Sequence, residues 1–138
     1  MPIPTKAFAH VRLTVTDIGR SRAFYEEVFG LPVAFELPEN ADEETKKQLW
    51  FLFGGVIYQL GDSLLGLRPV SDDTFTEDRT GLDHVSFAVE SRAELDLAVS
   101  LLDARGIENG GVKDIGVGYI VEFRDPDNIA LEVFAPKE

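Results

Sequence analysis

The chain contains two histidines, His10 and His84, and no cysteine. Disulfides, thiolate zinc sites and cysteine nucleophiles are thereby excluded, and any metal must be held by imidazole, carboxylate, carbonyl or water. Both histidines occupy the same place in two similar segments, His10-Val-Arg-Leu-Thr-Val15 and His84-Val-Ser-Phe-Ala-Val89. Each segment alternates in the manner of a half-buried strand, with Val11, Leu13 and Val15, or Val85, Phe87 and Val89, on one face and the histidine on the other. A third alternating segment runs from Ile129 to Phe134, with Glu132 between apolar neighbours on the face of Ala130 and Phe134. A carboxylate in such a position is costly unless it is paired or coordinates something. A single strand histidine is more often a satisfied or surface residue than a ligand. The repetition of the histidine, together with Glu132 on the matching face, favours a metal site made by His10, His84 and Glu132. Two imidazoles and one carboxylate form a facial triad with open positions, suited to one divalent ion per site: Fe(II), Mn, Zn, Ni or Co, with the identity left open by the donors. A substrate could bind through two oxygens, and the ion could stabilise oxyanion charge or activate O₂ or water.

These residues require a repeated scaffold to position them. In the first copy Asp17 is a plausible N-cap, Ile18, Phe24, Tyr25, Val28 and Phe29 recur at roughly helical spacing, and Gly30 is a suitable stop. In the second, Ser91-Arg-Ala-Glu94 fits a capping box, Leu95, Ala98, Val99, Leu101 and Leu102 form the apolar stripe, and Gly106 ends it. Further strands are predicted at 33–37, 49–53, 56–60 and 64–70, and at 111–115, 119–124 and 129–134. Gly61-Asp62 and Asp125-Pro-Asp-Asn128 mark hairpin turns, the latter structural. The plan is βαβββ twice: a first module over 1–70 with an insertion at 38–48, a polar linker over 71–81, and a second module over 82–138. The insertion is rich in Glu and Lys and reads as a solvated loop or short helix in preference to a functional lid.

Composition bounds the partners. With 25 acidic against 13 basic residues and a net charge of −12, the chain is unsuited to nucleic acid or an anionic membrane surface. At 44% hydrophobic, with 10 Phe, it can bury a core. No stretch approaches the ~20 apolar residues that span a bilayer, and Met1–Lys6 lacks the apolar segment of a signal peptide. The default expectation is a soluble cytoplasmic protein with a small-molecule substrate.

Strand parity nominates further residues. Arg12 and Thr14 share the face of His10, Ser86 that of His84, and Arg68 that of Gly66. Arg12 and Arg68 could bind a substrate carboxylate by bidentate hydrogen bonds, or form rim salt bridges, with the two readings evenly balanced. Phe134, on the face of Glu132, is grouped with them as a substrate contact. Even spacing through a clean hairpin would aim Glu122 at the same interior as a general base or a partner to a ligand histidine, although an exposed strand glutamate is the more ordinary reading. Tyr58 and Tyr119 are candidate proton donors, Tyr58 being carried forward as catalytic with Glu122, but aromatic residues in strands usually pack.

The segments His10-Val-Arg-Leu-Thr-Val-Thr-Asp17, Arg22-Ala-Phe-Tyr-Glu-Glu-Val-Phe-Gly30, Gly81-Leu-Asp-His-Val-Ser-Phe-Ala-Val89 and Phe123-Arg-Asp-Pro-Asp-Asn-Ile-Ala-Leu-Glu132 together resemble the vicinal oxygen chelate superfamily, the glyoxalase, bleomycin-resistance and extradiol-dioxygenase group. The resemblance spans nearly the whole chain. It implies an α+β fold in which two βαβββ modules form a metal-lined cup of mixed β-sheet with helices on the outside. The family's ligand positions carry over to His10, His84 and Glu132. A fourth falls in Leu64-Leu65-Gly66-Leu67, where Gly66 replaces the carboxylate of the glyoxalases. A three-ligand shell looks more like the extradiol dioxygenases, some epimerases and the fosfomycin-resistance transferases than glyoxalase I, and no glutathione-binding pattern is recognisable. The implied function is a metal-dependent enzyme for a small oxygen-rich substrate, dioxygenase-like. Alternatives are a lyase or isomerase of the same group, or a non-catalytic drug-sequestering protein of the bleomycin-resistance type. Family members are commonly dimers, so a homodimer is expected, with the cup formed within one chain or between swapped halves.

Overall fold

The computed structural model describes all residues, Met1–Glu138. The chain divides into two compact units, Met1–Asp73 and Thr74–Glu138. Each is a βαβββ module with its own sheet of four strands, so the fold is α+β.

The first unit contains β1 (His10–Thr14), α1 (Ile18–Phe29), β2 (Val33–Glu36), α2 (Glu43–Gln48), β3 (Val56–Leu60) and β4 (Ser63–Arg68). The sheet order is β1-β4-β3-β2; β1 runs parallel to β4 and the other pairs are antiparallel. Asp17 caps α1 by accepting from the Arg20 amide at 3.0 Å, and Gly30 ends it in the left-handed region at φ 62°. One face of the sheet packs on α1. Leu13, Val56, Tyr58, Leu65 and Leu67 are buried there with Tyr25, each apolar side chain contributing about 1.5–3 kcal/mol by leaving water. The opposite, open face carries His10, Arg12 and Thr14 from β1, in register with Leu64, Gly66 and Arg68 from β4.

One strand expected from sequence is absent. Residues 49–53 do not pair; Trp50–Leu52 form a 3-10 turn that follows α2, and Phe53 adopts a left-handed conformation at φ 50°. A short apolar run fits a strand or a buried turn equally well, and here Leu52 is buried while Trp50 and Phe53 are exposed. Without that strand the unit matches the βαβββ plan. The Glu- and Lys-rich stretch contains α2, capped by Asp42 through the Thr45 amide at 2.8 Å.

The second unit contains β5 (Val85–Ala88), α3 (Arg92–Ala104), β6 (Lys113–Asp114), β7 (Gly118–Arg124) and β8 (Ala130–Pro136), in sheet order β5-β8-β7-β6 with β5 parallel to β8. Leu95 and Leu102 of α3 are buried, as are Phe87, Val121, Phe123, Leu131 and Val133. The expected capping box at 91–94 is replaced by another device: Ser91 makes no side-chain cap bond, and Glu94 accepts instead from the Glu90 amide at 2.9 Å. The β7–β8 turn is held by Asp125, buried, whose Oδ1 accepts from the amides of Asp127 and Ile129, both at 2.8 Å.

Candidate metal and substrate site

Each unit presents its histidine at the N-terminal edge of its parallel strand pair. In the second unit His84 immediately precedes β5, and β5 registers with β8 so that Ser86 lies opposite Glu132. In the first unit the same two-residue offset places Arg12 opposite Gly66. The two sheets therefore correspond position by position: His10 with His84, Arg12 with Ser86, and Gly66 with Glu132.

In the second unit, His84 Nε2 lies 3.9 Å from Glu132 Oε1, and His84 Nδ1 lies 2.6 Å from Asp83 Oδ1. The Asp83 hydrogen bond raises the pKa of His84, burial opposes it, and the charges of Glu132, Asp83 and Glu122 add to the rise. Glu132 is largely shielded, with a side-chain exposure of 16%. Strand alternation assigns Asp83 no role. A carboxylate directly before the histidine, outside the strand and so free of its alternation, was the available signal.

The β7–β8 register runs without a bulge through Glu122 opposite Glu132. Antiparallel partners share a face, so Glu122 lies on the face of Glu132. Its carboxylate is exposed and binds Lys113 Nζ at 3.0 Å. A cleft of about 310 Å³ is lined by His84, Asn109, Glu122, Arg124 and Glu132. Phe134 occupies the same face of β8, opposite Ile120 and against Gly118, where an added Cβ would meet the ring at 2.5 Å.

The open face of the first unit has a different character. Arg12 Nη2 donates to the Leu52 carbonyl at 3.0 Å, while its Nε is buried without a partner. Burial, then the nearby Arg68 cation, lowers the pKa of Arg12 from its ordinary value. The Arg68 guanidinium lies over the Phe53 ring, 4.7 Å from its centroid. His10, Arg12, Phe35, Phe51, Ile57 and Gly66 line a cleft of about 310 Å³.

Tyr58, considered as a proton donor, lies on the helix-packed face. It is fully buried, and its hydroxyl donates to Glu26 Oε2 at 2.7 Å. Burial and then Glu26 raise its pKa, so it is a structural hydroxyl away from the face of His10. Arg22 completes that network, donating to Glu26 at 2.7 Å and Glu36 at 2.8 Å. Tyr119 lies beneath Arg92 and Lys137, 5.0 and 4.5 Å from its ring centroid. Within neither unit do three His, Asp or Glu side chains converge in a geometry that would hold an ion.

Known proteins resemble the chain along nearly its full length. It is 28% identical over 134 residues to the uncharacterized protein YqjC of Bacillus subtilis, covering 93% of this chain and 91% of that one. A glyoxylase/bleomycin resistance protein/dioxygenase domain from Frankia superposes with a TM-score of 0.77 at 29% identity, covering 97% of this chain and 94% of that one. The fosfomycin resistance protein FosX of Listeria monocytogenes, at 18% identity, shares the fold with a TM-score of 0.72 and coverages of 96% and 93%. The model of the Glyoxalase/Bleomycin resistance protein/Dioxygenase superfamily matches residues 7–133, and the chain belongs to that superfamily.

Proposed function

We propose that the chain is a metal-dependent enzyme acting on a small oxygen-rich substrate, with His10, His84 and Glu132 as ligands. The observation that carries this reading is the His84–Glu132 pair. Two donors bound to one ion at about 2.0–2.2 Å with cis or tetrahedral angles stand about 2.8–3.6 Å apart, and Nε2 and Oε1 at 3.9 Å would reach that span by a small side-chain adjustment. Asp83 holds Nδ1, the arrangement that fixes the tautomer of a ligand histidine and leaves Nε2 free to coordinate. His10 holds the corresponding position in the first unit. When bound, the ion would supply Lewis-acid stabilisation of substrate oxygens or activation of O₂ or water. Glu122, on the face of Glu132, would accept a substrate proton once released from Lys113, and Phe134 would form an apolar wall beside it.

Gly66 favours dioxygenase-like over glyoxalase I-like chemistry, because its register with Arg12 makes it the counterpart of Glu132 and no fourth carboxylate is supplied there. No helix is long and apolar enough to cross a membrane. We take the working form to be a cytoplasmic homodimer, for which light scattering should return twice 15.3 kDa.

Elemental analysis of the purified protein tests the metal reading. About one divalent ion per chain is expected, lost in His84→Ala. Iron with O₂ uptake on a catechol-like substrate would support the dioxygenase subtype; zinc or nickel without O₂ uptake would eliminate it. Metal-free protein that still binds an aromatic or cationic ligand would replace the enzyme reading with a binding protein.

A further inference from the structure

Arg12 occupies an unusual position. An ideal Cβ built on Gly66 would lie 2.9 Å from Arg12 Cγ and 3.4 Å from Arg12 Cδ. The arginine stem therefore fills the space into which a side chain at 66 would project, and Gly66, itself buried, is the seat on which it lies. The second unit places a carboxylate at this register position; the first places a guanidinium beside it.

That guanidinium lacks the partner that an acid-rich chain could readily provide. Arg22 is paired with Glu26 and Glu36, Arg124 with Glu77, Lys113 with Glu122, and Lys137 with Asp114. Arg12 and Arg68, which share one sheet face on adjacent strands, have no carboxylate partner in their unit. One N–H of Arg12 meets a backbone carbonyl and its Nε meets nothing. Two like charges on one face without a carboxylate between them, one of them with a buried donor unpaired, favour an anion there, since buried polar groups are ordinarily satisfied. Apart from His10, the rest of the cleft is apolar, walled by Phe35 and Phe51, which meet edge to face at 6.1 Å, and by Ile57 and Leu64.

We propose that the open face of the first unit binds the carboxylate of a small molecule with an aromatic or branched apolar body, the Arg12 guanidinium receiving the anion, Arg68 adding charge, and Phe35 and Phe51 covering the body. This deepens the reading of the chain as a small-molecule protein and rests on it for the site's purpose, but it does not require the metal.

Benzoate and its neutral isostere benzamide, titrated against the full-length protein and followed by amide NMR shifts, test the proposal. Benzoate should shift β1 and β4 signals and bind at least about tenfold more tightly than benzamide, with the advantage falling as salt rises. Arg12→Gln should remove the preference, while Arg12→Lys, which keeps the charge but loses the planar fork, should retain part of it. Arg68→Gln, which leaves the Gly66 seat untouched, should weaken benzoate by a smaller factor and keeps the test valid if Arg12→Gln does not fold. His84→Ala separates this proposal from the metal reading. Benzoate binding that survives His84→Ala and is lost in Arg12→Gln supports the arginine site even if the protein proves metal-free. Binding lost in His84→Ala and kept in Arg12→Gln would place the carboxylate on the metal and overturn the proposal, as would equal affinity for benzoate and benzamide.

Discussion

The two units repeat one backbone and differ in the charge carried on its open sheet face. In both, the first strand pairs in parallel with the last at the same offset from the histidine. On the second unit that offset brings together small Ser86 and acidic Glu132, with Asp83 and Glu122 close enough to raise the pKa of His84. On the first it brings together Arg12 and Gly66, with Arg68 on the same face. The backbone register is common because the parallel pairing and the apolar alternation specify it, whereas the face away from the helix is free to diverge. A glycine that looks like a lost ligand in sequence also provides the room in which an arginine lies.

This contrast can be tested most strongly at Glu132. Glu132→Gln keeps the shape and removes the charge, and should weaken divalent-ion binding by more than about a hundredfold, beyond the loss typical of removing an orienting partner. Equilibrium dialysis against Mn(II) or Zn(II) would measure it, and retained affinity would mean that Glu132 is not a ligand. The next largest difference concerns glycines. Gly118→Ala would drive a methyl toward the Phe134 ring at 2.5 Å and the Ala135 carbonyl at 2.6 Å, and should cost about 3 kcal/mol. Gly66→Ala meets the flexible Arg12 stem, and should cost about 1 kcal/mol. Urea denaturation of both variants gives the ordering; equal losses would mean that the Arg12 stem is as unyielding as backbone.

The smallest expected effect is electrostatic. His84, hydrogen-bonded to Asp83, should titrate above the ordinary histidine value of about 6.5, and Asp83→Asn should bring it back down. The sign follows from the raised folded-state pKa: the protonated histidine's stabilisation is fully present below about pH 6.5 and is lost as pH rises through the folded value. Ion binding runs the opposite way, strengthening as His84 deprotonates. NMR titration of the imidazole in the wild type and the Asp83→Asn variant would check the shift; an unchanged pKa would remove Asp83 from its supporting role.

Much of the fold is visible in local chemistry. The alternation through Val11, Leu13 and Val15 and through Val85, Phe87 and Val89 specifies which faces are buried, and Asp17 and Gly30 bound the first helix, because capping and periodicity are local properties. The run at 49–53 misleads because five apolar residues do not distinguish a strand from a turn, and Ser91–Glu94 misleads because a suitable residue spacing does not ensure that the hydrogen bonds form. By itself the sequence determined the repeated modules, the two histidines at equivalent starts, and the absence of a carboxylate at Gly66. Only the tertiary structure decided that Tyr58 belongs to the core with Glu26, that Asp83 turns back to His84, that Glu122 shares a face with Glu132 while bound to Lys113, and that Arg12 lies on Gly66 without an acid. Alternation assigns a residue to a face, but which groups meet on that face depends on strand register and rotamer choice between segments far apart in the chain.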